Sequence, residues 1–409
     1  MKGSMIKSFI IQGLTMDIQF SERANKLKAS AIRELLKLTE MPEVISFAGG
    51  LPAPELFPVE KIKGIMAEVM ENEGQAALQY GPTEGFRPLR EIVATQRMST
   101  AHMDLTADDI IITTGSQQGL EFSAKLFLNK DDVVICESPS YLGAINAFQA
   151  YEPRFVEVQM DDDGIIISEL EKALQENPHA KMIYTIPDFQ NPSGKTLPDD
   201  RRKRIAELAA EYKIPVIEDN PYGELIFEGT VHPAIKSYDK EGWVIFLGTF
   251  SKVFSPGMRL GWICAAPEIL NKYVHIKQGA DLQSSSLDQR IAAAFMKKYN
   301  LDEHILKIRE VYGKRRTLML ESMDKYFPAG VKHTNPYGGL FAWVELREDL
   351  DAGKIMEECI KENVAYVPGE AFFPTSGNKN FFRVNYSCMP EDKIVEGVKR
   401  IGKVLSKYY

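Results

Sequence analysis

The sequence predicts an α/β protein: a large domain on a mainly parallel, doubly wound sheet, followed by a smaller α+β domain. Three observations predict it. Short apolar runs recur between residues 110 and 247, with helical stretches between several of them. From about 266 to 327 the periodicity is helical throughout. Beyond that, strand and helix patterns mix. At 409 residues and 44% hydrophobic, the chain has enough apolar material for two cores with a ligand buried between them.

In chain order, residues 1–20 read as an N-terminal extension; its apolar patch Phe9-Ile10-Ile11 is too short for the apolar stretch of a signal peptide. Residues 21–57 read as a helix and a loop. The helix is 26–38, KLKASAIRELLKL, with Leu27, Ile32, Leu35 and Leu36 leaning to one side. The loop is SFAGGLPAPELFP, whose glycines and prolines demand particular backbone geometry. The large domain is expected over 58–300. It opens with helical pattern to about 101, interrupted by the turn Tyr80-Gly81-Pro82. The runs Ile110-Ile111-Ile112, Val133-Val134-Ile135, Met182-Ile183-Tyr184, Pro215-Val216-Ile217 and Val244-Ile245-Phe246 read as buried strands, with helices at about 116–128 and 198–212. The small domain, 301–409, is expected to carry strands Leu340–Leu346 and Phe381–Tyr386 and helices at about 351–363 and 390–406.

A net charge of −8 argues against a nucleic-acid partner. The densest basic cluster, Arg201-Arg202-Lys203-Arg204, has Asp199, Asp200 and Glu207 at helical spacing and reads as a solvated helix face. Cys136, Cys264, Cys359 and Cys388 are far apart and form no CxxC pair, so no metal site is expected and a reduced, cytoplasmic setting is the simplest reading. No stretch of 18 apolar residues predicts a membrane span.

Four short motifs carry chemistry in one order. Thr114-Gly115-Ser116-Gln117-Gln118-Gly119 follows a strand and opens a helix, a setting that suits a phosphate but also any strand–helix turn. Asn191-Pro192-Ser193-Gly194 follows another strand and is, taken alone, ordinary turn punctuation. Glu218-Asp219-Asn220-Pro221-Tyr222 puts an acid at the carboxyl end of a buried strand, where open α/β sheets bind ligands; it also reads as a cap or turn. Thr249-Phe250-Ser251-Lys252, ahead of Gly257-Met258-Arg259-Leu260-Gly261-Trp262, puts a lysine just beyond an apolar run, and a buried lysine can serve as a Schiff-base amine.

In this order, with 28 residues from Asn191 to Asp219, 33 more to Lys252 and seven to Arg259, the motifs resemble the class I aminotransferases of pyridoxal-phosphate (PLP) fold type I. The resemblance runs from about residue 20 to the C-terminus. SFAGGLPAPELFP, LQYGPTEG, ITTGSQQGL, ESPSY, FQNPSG, FSKVFSPGMRLGW and FRVNYS are most similar to the branch holding 2-aminoadipate, kynurenine and multi-substrate aminotransferases. It implies PLP as cofactor, held by Lys252 through a Schiff base. Asp219 would pair with the pyridine nitrogen and keep it protonated, making the ring an electron sink. Asn191 and Tyr222 would bond the ring's phenolic oxygen, and Tyr141 would stack on its face. Ser116, Gln117, Thr249, Ser251 and Arg259 would surround the phosphate. Lys252, once freed, would move a proton between the substrate Cα and the cofactor. Arg383 would clamp the substrate carboxylate; its apolar flanks Phe381, Phe382 and Val384 argue against a surface salt bridge. Gly50 would approach the same carboxylate. Tyr80 would reach a neighbouring subunit's phosphate, implying a homodimer with composite sites. The helix at 26–38 would act as a lid, with Arg33 meeting an acidic substrate side chain or else simply solvated.

The implied reaction moves an amino group from an L-amino acid (2-aminoadipate, glutamate, aromatic or branched-chain) to a 2-oxo acid. A PLP-dependent lyase or decarboxylase on the same fold would share the Lys, Asp and Arg positions and stays open on the motifs. A transcription regulator with an aminotransferase-like effector domain would need a helix-turn-helix ahead of the matching region, and only about 20 residues precede it.

Overall fold

The structure is a computed structural model, and it describes residues 19–26 and 43–409. Beyond Lys26 the predicted helix at 26–38, and Arg33 with it, lies outside the described residues.

The central sheet has eight strands: β2 (Ile110–Thr113), β3 (Val133–Ser138), β4 (Arg154–Asp161), β5 (Gly164–Ile165), β6 (Met182–Thr185), β7 (Val216–Asp219), β8 (Val244–Thr249) and β9 (Gly261–Cys264). Their order is β2-β9-β8-β7-β6-β3-β4-β5. The run β8-β7-β6-β3-β4 is parallel; β9 lies antiparallel between β8 and β2, and β5 is antiparallel to β4. All five predicted strand runs are present. The sequence reading omitted β4, β5 and β9.

Successive residues of a buried parallel strand face opposite sides, and both sides here are apolar. Val134 and Cys136 enter one core, shared with the helix Ser116–Phe127; Val133 and Ile135 enter the other, under the helices Ile167–Glu176 and Asp199–Tyr212. The predicted solvated face at 201–204 is corrected at one position. Arg202 is fully buried and bonds Asp188 Oδ1 at 2.6 Å and the carbonyls of Leu197, Pro187 and Pro233. The apolar side of that helix needs one long stem, and Asp188 supplies the charge.

The second sheet is antiparallel, in the order β10 (Lys332–His333), β11 (Phe341–Glu345), β14 (Phe381–Asn385), β13 (Val367–Pro368). The helices Ala352–Lys361 and Glu391–Leu405 cover it, as predicted. Two features tie this part to the rest. The helix Leu301–Tyr326 puts Ile305, Ile308 and Tyr312 into the large core and Met319, Leu320 and Met323 into the small one. The short strand β1 (Ile45–Ser46) pairs in parallel with β12 (Val364–Ala365). Among the described residues no helix is long and apolar enough to cross a membrane.

Candidate active site

The carboxyl ends of β2, β3, β6, β7 and β8 all open on one cavity of about 1320 Å³, closed from the other side by the loop at 48–50 and by β11 and β14. Of the candidate site residues that are described, all line it except Tyr80. Tyr80 is 78% exposed, at a separate turn beside Gln283.

At the end of β2 the chain turns through Gly115, whose φ of +76° is a left-handed conformation. A Cβ there would also stand 2.5 Å from Arg259 Nη2, so only glycine lets the guanidinium cross this turn. Ser116 and Gln117 then form the first turn of a helix, with free N–H groups and the positive end of its dipole. Gln117 Nε2 donates to the Gly143 carbonyl, in the first turn of the helix that Tyr141 precedes. On the other flank Thr249 and Ser251 bond each other, Oγ to Oγ, at 2.9 Å.

Asp219 ends β7, is 2% exposed, and has two unlike oxygens. Oδ2 accepts the Tyr184 hydroxyl at 3.0 Å; Oδ1 has no partner. Burial pushes its pKa up to about 7, with the Tyr184 bond and the Lys252 charge pulling the other way. Lys252 Nζ donates to the Gly50 carbonyl at 2.8 Å. Burial, then the charges of Arg383 and Arg259, lower its pKa to about 8.

Arg383 lies in β14 and is 5% exposed, without an acid partner among the described residues. Nη1 donates to Asn191 Oδ1 and Nη2 to the Ala48 carbonyl, both at 2.8 Å, and Nε is unpartnered. The guanidinium sits 4.1 Å over the Phe341 ring and 5.1 Å from that of Phe372, and burial pulls its pKa down to about 10. Asn191 turns its amide nitrogen to the Tyr222 hydroxyl at 3.3 Å.

Sequence reasoning missed Ala48, Tyr184 and Glu137. Glu137 sits fully buried at the end of β3, bonding Thr185 Oγ1 at 2.5 Å and Gln190 Nε2 at 3.1 Å. The available signal was polar tips inside apolar runs, since each buried hydroxyl or carboxyl demands a partner.

These residues fit PLP. The orphaned buried oxygen of Asp219 suits a protonated ring nitrogen. Lys252 offers an amine of lowered pKa. The helix start at Ser116, flanked by Arg259, suits a phosphate.

Comparison with known proteins points to the same class. The family described as aminotransferase class I and II matches residues 45–401. The aromatic-amino-acid aminotransferase 1 of Thermococcus litoralis is 46% identical over 403 residues, 97% of each chain. The structure of Pyrococcus horikoshii kynurenine aminotransferase in complex with PMP superposes with a TM-score of 0.92 at 44% identity, covering 95% of this chain and 97% of that one. The alpha-aminoadipate aminotransferase of Thermus thermophilus, complexed with N-(5'-phosphopyridoxyl)-L-leucine, gives 0.88 at 39% identity, with 95% and 97% covered. The fold is thus that of the fold type I PLP enzymes. The chain belongs to the class I and II aminotransferases, and it is a PLP-dependent aminotransferase acting on amino acids and 2-oxo acids.

Proposed function

We propose that this aminotransferase works through a site in which Lys252 holds the cofactor and moves the substrate proton, Asp219 faces the ring nitrogen, and Arg383 takes the substrate carboxylate. One observation carries the reading: an amine of lowered pKa and, among the described residues, an orphaned carboxylate oxygen and a buried guanidinium without an acid partner share one cavity. PLP, when bound, supplies an electron sink for charge that develops at the substrate Cα. Lys252 Nζ takes the proton from Cα. Asn191 and Tyr222 bond the ring's phenolic oxygen, and Tyr141 covers the ring face. Ser116, Gln117, Thr249, Ser251 and Arg259 hold the phosphate. Gly50 has no side chain to obstruct the substrate carboxylate and already gives its carbonyl to Lys252.

The proposed donors are 2-aminoadipate, glutamate, and aromatic or branched-chain amino acids. The names of the relatives support this range, and so does a cavity wall that includes Leu142, Ile145 and Phe373. Arg33 is proposed, from the sequence alone, to favour acidic donors; a selective loss on 2-aminoadipate relative to leucine in Arg33→Ala is the expected result. The working unit is proposed to be a cytoplasmic homodimer in which Tyr80 completes the partner's phosphate site. Its exposure, with that of Leu78 at 70%, supports a covered face there. Boundaries at 57/58 and 300/301 remain the proposed division of the chain.

The test is a half-reaction panel. The PLP form is mixed with each amino acid, and conversion to the pyridoxamine form is followed for the parent and for Lys252→Ala. Conversion is expected only in the parent. Conversion at the parental rate in the variant would remove Lys252 from the chemistry.

A further inference from the structure

Asp219 is held by a residue that the reading above does not use. Tyr184 lies in β6, paired with Cys136 of β3 on one side and Ile217 of β7 on the other, and is 1% exposed. Its ring meets Phe148 edge-on, centroids 5.4 Å apart and planes at 81°, so the phenol has little freedom to turn. Its hydroxyl bonds Asp219 Oδ2 at 3.0 Å and, among the described residues, is the single side-chain donor to that carboxylate. Burial holds the phenol well above its ordinary pKa, so it is a donor across the working range. The two oxygens of Asp219 therefore have distinct surroundings: one is fixed by the neighbouring strand β6, and one is left open in a residue that lines the cavity.

We propose that Tyr184 is a positioning residue for catalysis. By donating to Oδ2 it fixes the carboxylate plane, keeps the group ionised, and leaves Oδ1 as the oxygen offered to the cofactor ring. The proposal rests on the reading that Asp219 faces the ring nitrogen. A buried carboxylate is costly unless something hydrogen-bonds its charged form. The cation nearest in effect is Lys252, whose amine is committed to other work. Tyr184 is the neutral group that stabilises Asp219 without supplying a competing charge.

The test substitutes Tyr184→Phe, which keeps the ring and its packing on Phe148 and removes the oxygen. Three quantities are measured: cofactor affinity of the apoenzyme, the ¹⁵N shift of the ring nitrogen in labelled cofactor, and kcat and KM for one amino acid. Expected are affinity about tenfold weaker, a ring-nitrogen signal moved toward its unprotonated position, and kcat down by about tenfold, the equivalent of ~1.4 kcal/mol, with KM little changed. The same substitution is made in an Asp219→Asn background, where it is expected to change neither the ring-nitrogen shift nor kcat. An unchanged ring-nitrogen signal and kcat in Tyr184→Phe would overturn the proposal. So would an equal loss of kcat in both backgrounds, because the hydroxyl would then act on something other than Asp219. If Asp219→Asn alone leaves the ring nitrogen protonated, the reading of Asp219 fails, and the proposal falls with it for that separate reason. Should Tyr184→Phe not fold, 3-fluorotyrosine at position 184, a stronger donor, is expected to move the signal toward the protonated side, and no movement would refute the role.

Discussion

Arg383→Ala gives the most direct quantitative check. The guanidinium is held in place by two neutral acceptors, Asn191 Oδ1 and the Ala48 carbonyl, and no carboxylate among the described residues neutralises it. Both Nη atoms keep a second N–H for a ligand. A hydrogen bond to a charged group contributes about 1.5–3 kcal/mol, so a two-pronged carboxylate contact contributes ~3–6 kcal/mol. Its loss corresponds to a fall of about 10²- to 10⁴-fold in kcat/KM. The assay follows single-turnover conversion of the cofactor by an amino acid and by its amide, in parent and variant. The parent is expected to prefer the acid strongly, and Arg383→Ala to lose most of that preference. Arg383→Lys should recover only part of it, because a point charge does not reproduce the planar fork. A preference for acid over amide that survives in Arg383→Ala would refute the assignment. Folding should not suffer: removing a buried cation without an acid partner relieves a desolvation cost, so the thermal midpoint without substrate should be equal to the parent's or higher.

Other outcomes follow from the same geometry. The Lys252 amine is lowered to about 8, so cofactor uptake by the apoenzyme should quicken as pH rises through that value, where the neutral, nucleophilic amine takes over; a rate flat across pH 7 to 9 would contradict this. Glu157 accepts from Ser138 Oγ at 2.6 Å and from the backbone N–H groups of Thr375 and Ser376 at 2.7 and 2.9 Å, and these bonds outweigh burial to hold its pKa below the ordinary 4.5. Its contribution to stability is therefore present above the ordinary carboxylate range and lost as pH falls below it. The gap in thermal midpoint between the parent and Glu157→Gln should be widest near neutrality and close on acidification. Asp188→Ala strands the fully buried Arg202 and should cost about 3–5 kcal/mol in denaturant unfolding; Asp188→Ala combined with Arg202→Met should recover much of it. Sedimentation should find a dimer at assay concentration, and Tyr80→Ala should weaken cofactor binding rather than folding; an active monomer would exclude the composite site.

Much of the fold was legible because buried parallel strands are continuous apolar runs, and Ile110–Ile112 or Val244–Phe246 cannot be solvent-facing. β4 escaped because it alternates: Arg154, Glu157, Gln159 and Asp161 interrupt Phe155, Val156 and Val158, and the strand lies near the sheet's edge. The direction of β9 was not legible at all, since Gly261–Cys264 reads alike in either orientation and only pairing with β2 and β8 decides it. In the site, Lys252, Asp219 and Arg259 announced themselves by motif order. The partners that tune them did not. Tyr184 looks like one more strand residue until its hydroxyl is seen to need an acceptor. Arg202 cannot be told from Arg201 or Arg204, because its partner Asp188 lies 14 residues away, off the helix, in the loop that follows β6. The Arg383–Ala48 bond joins residues 335 positions apart, a separation that no local pattern encodes.

The pairing of β1 with β12 sets an order of events during synthesis. The central sheet is complete once Cys264 has been made, and its large core needs little beyond Tyr312 and Phe341. The loop at 48–50, made early, waits much longer. Its approach is fixed by Ile45 and Ser46 against Val364 and Ala365, by Asn385 N–H on the Phe47 carbonyl, and by Arg383 on Ala48. A growing chain can thus build the proposed cradle for a cofactor phosphate before it can build the proposed pocket for a substrate carboxylate. The two halves of the active site are finished at different stages of translation, and a nascent chain stalled near residue 350 would present the first without the second.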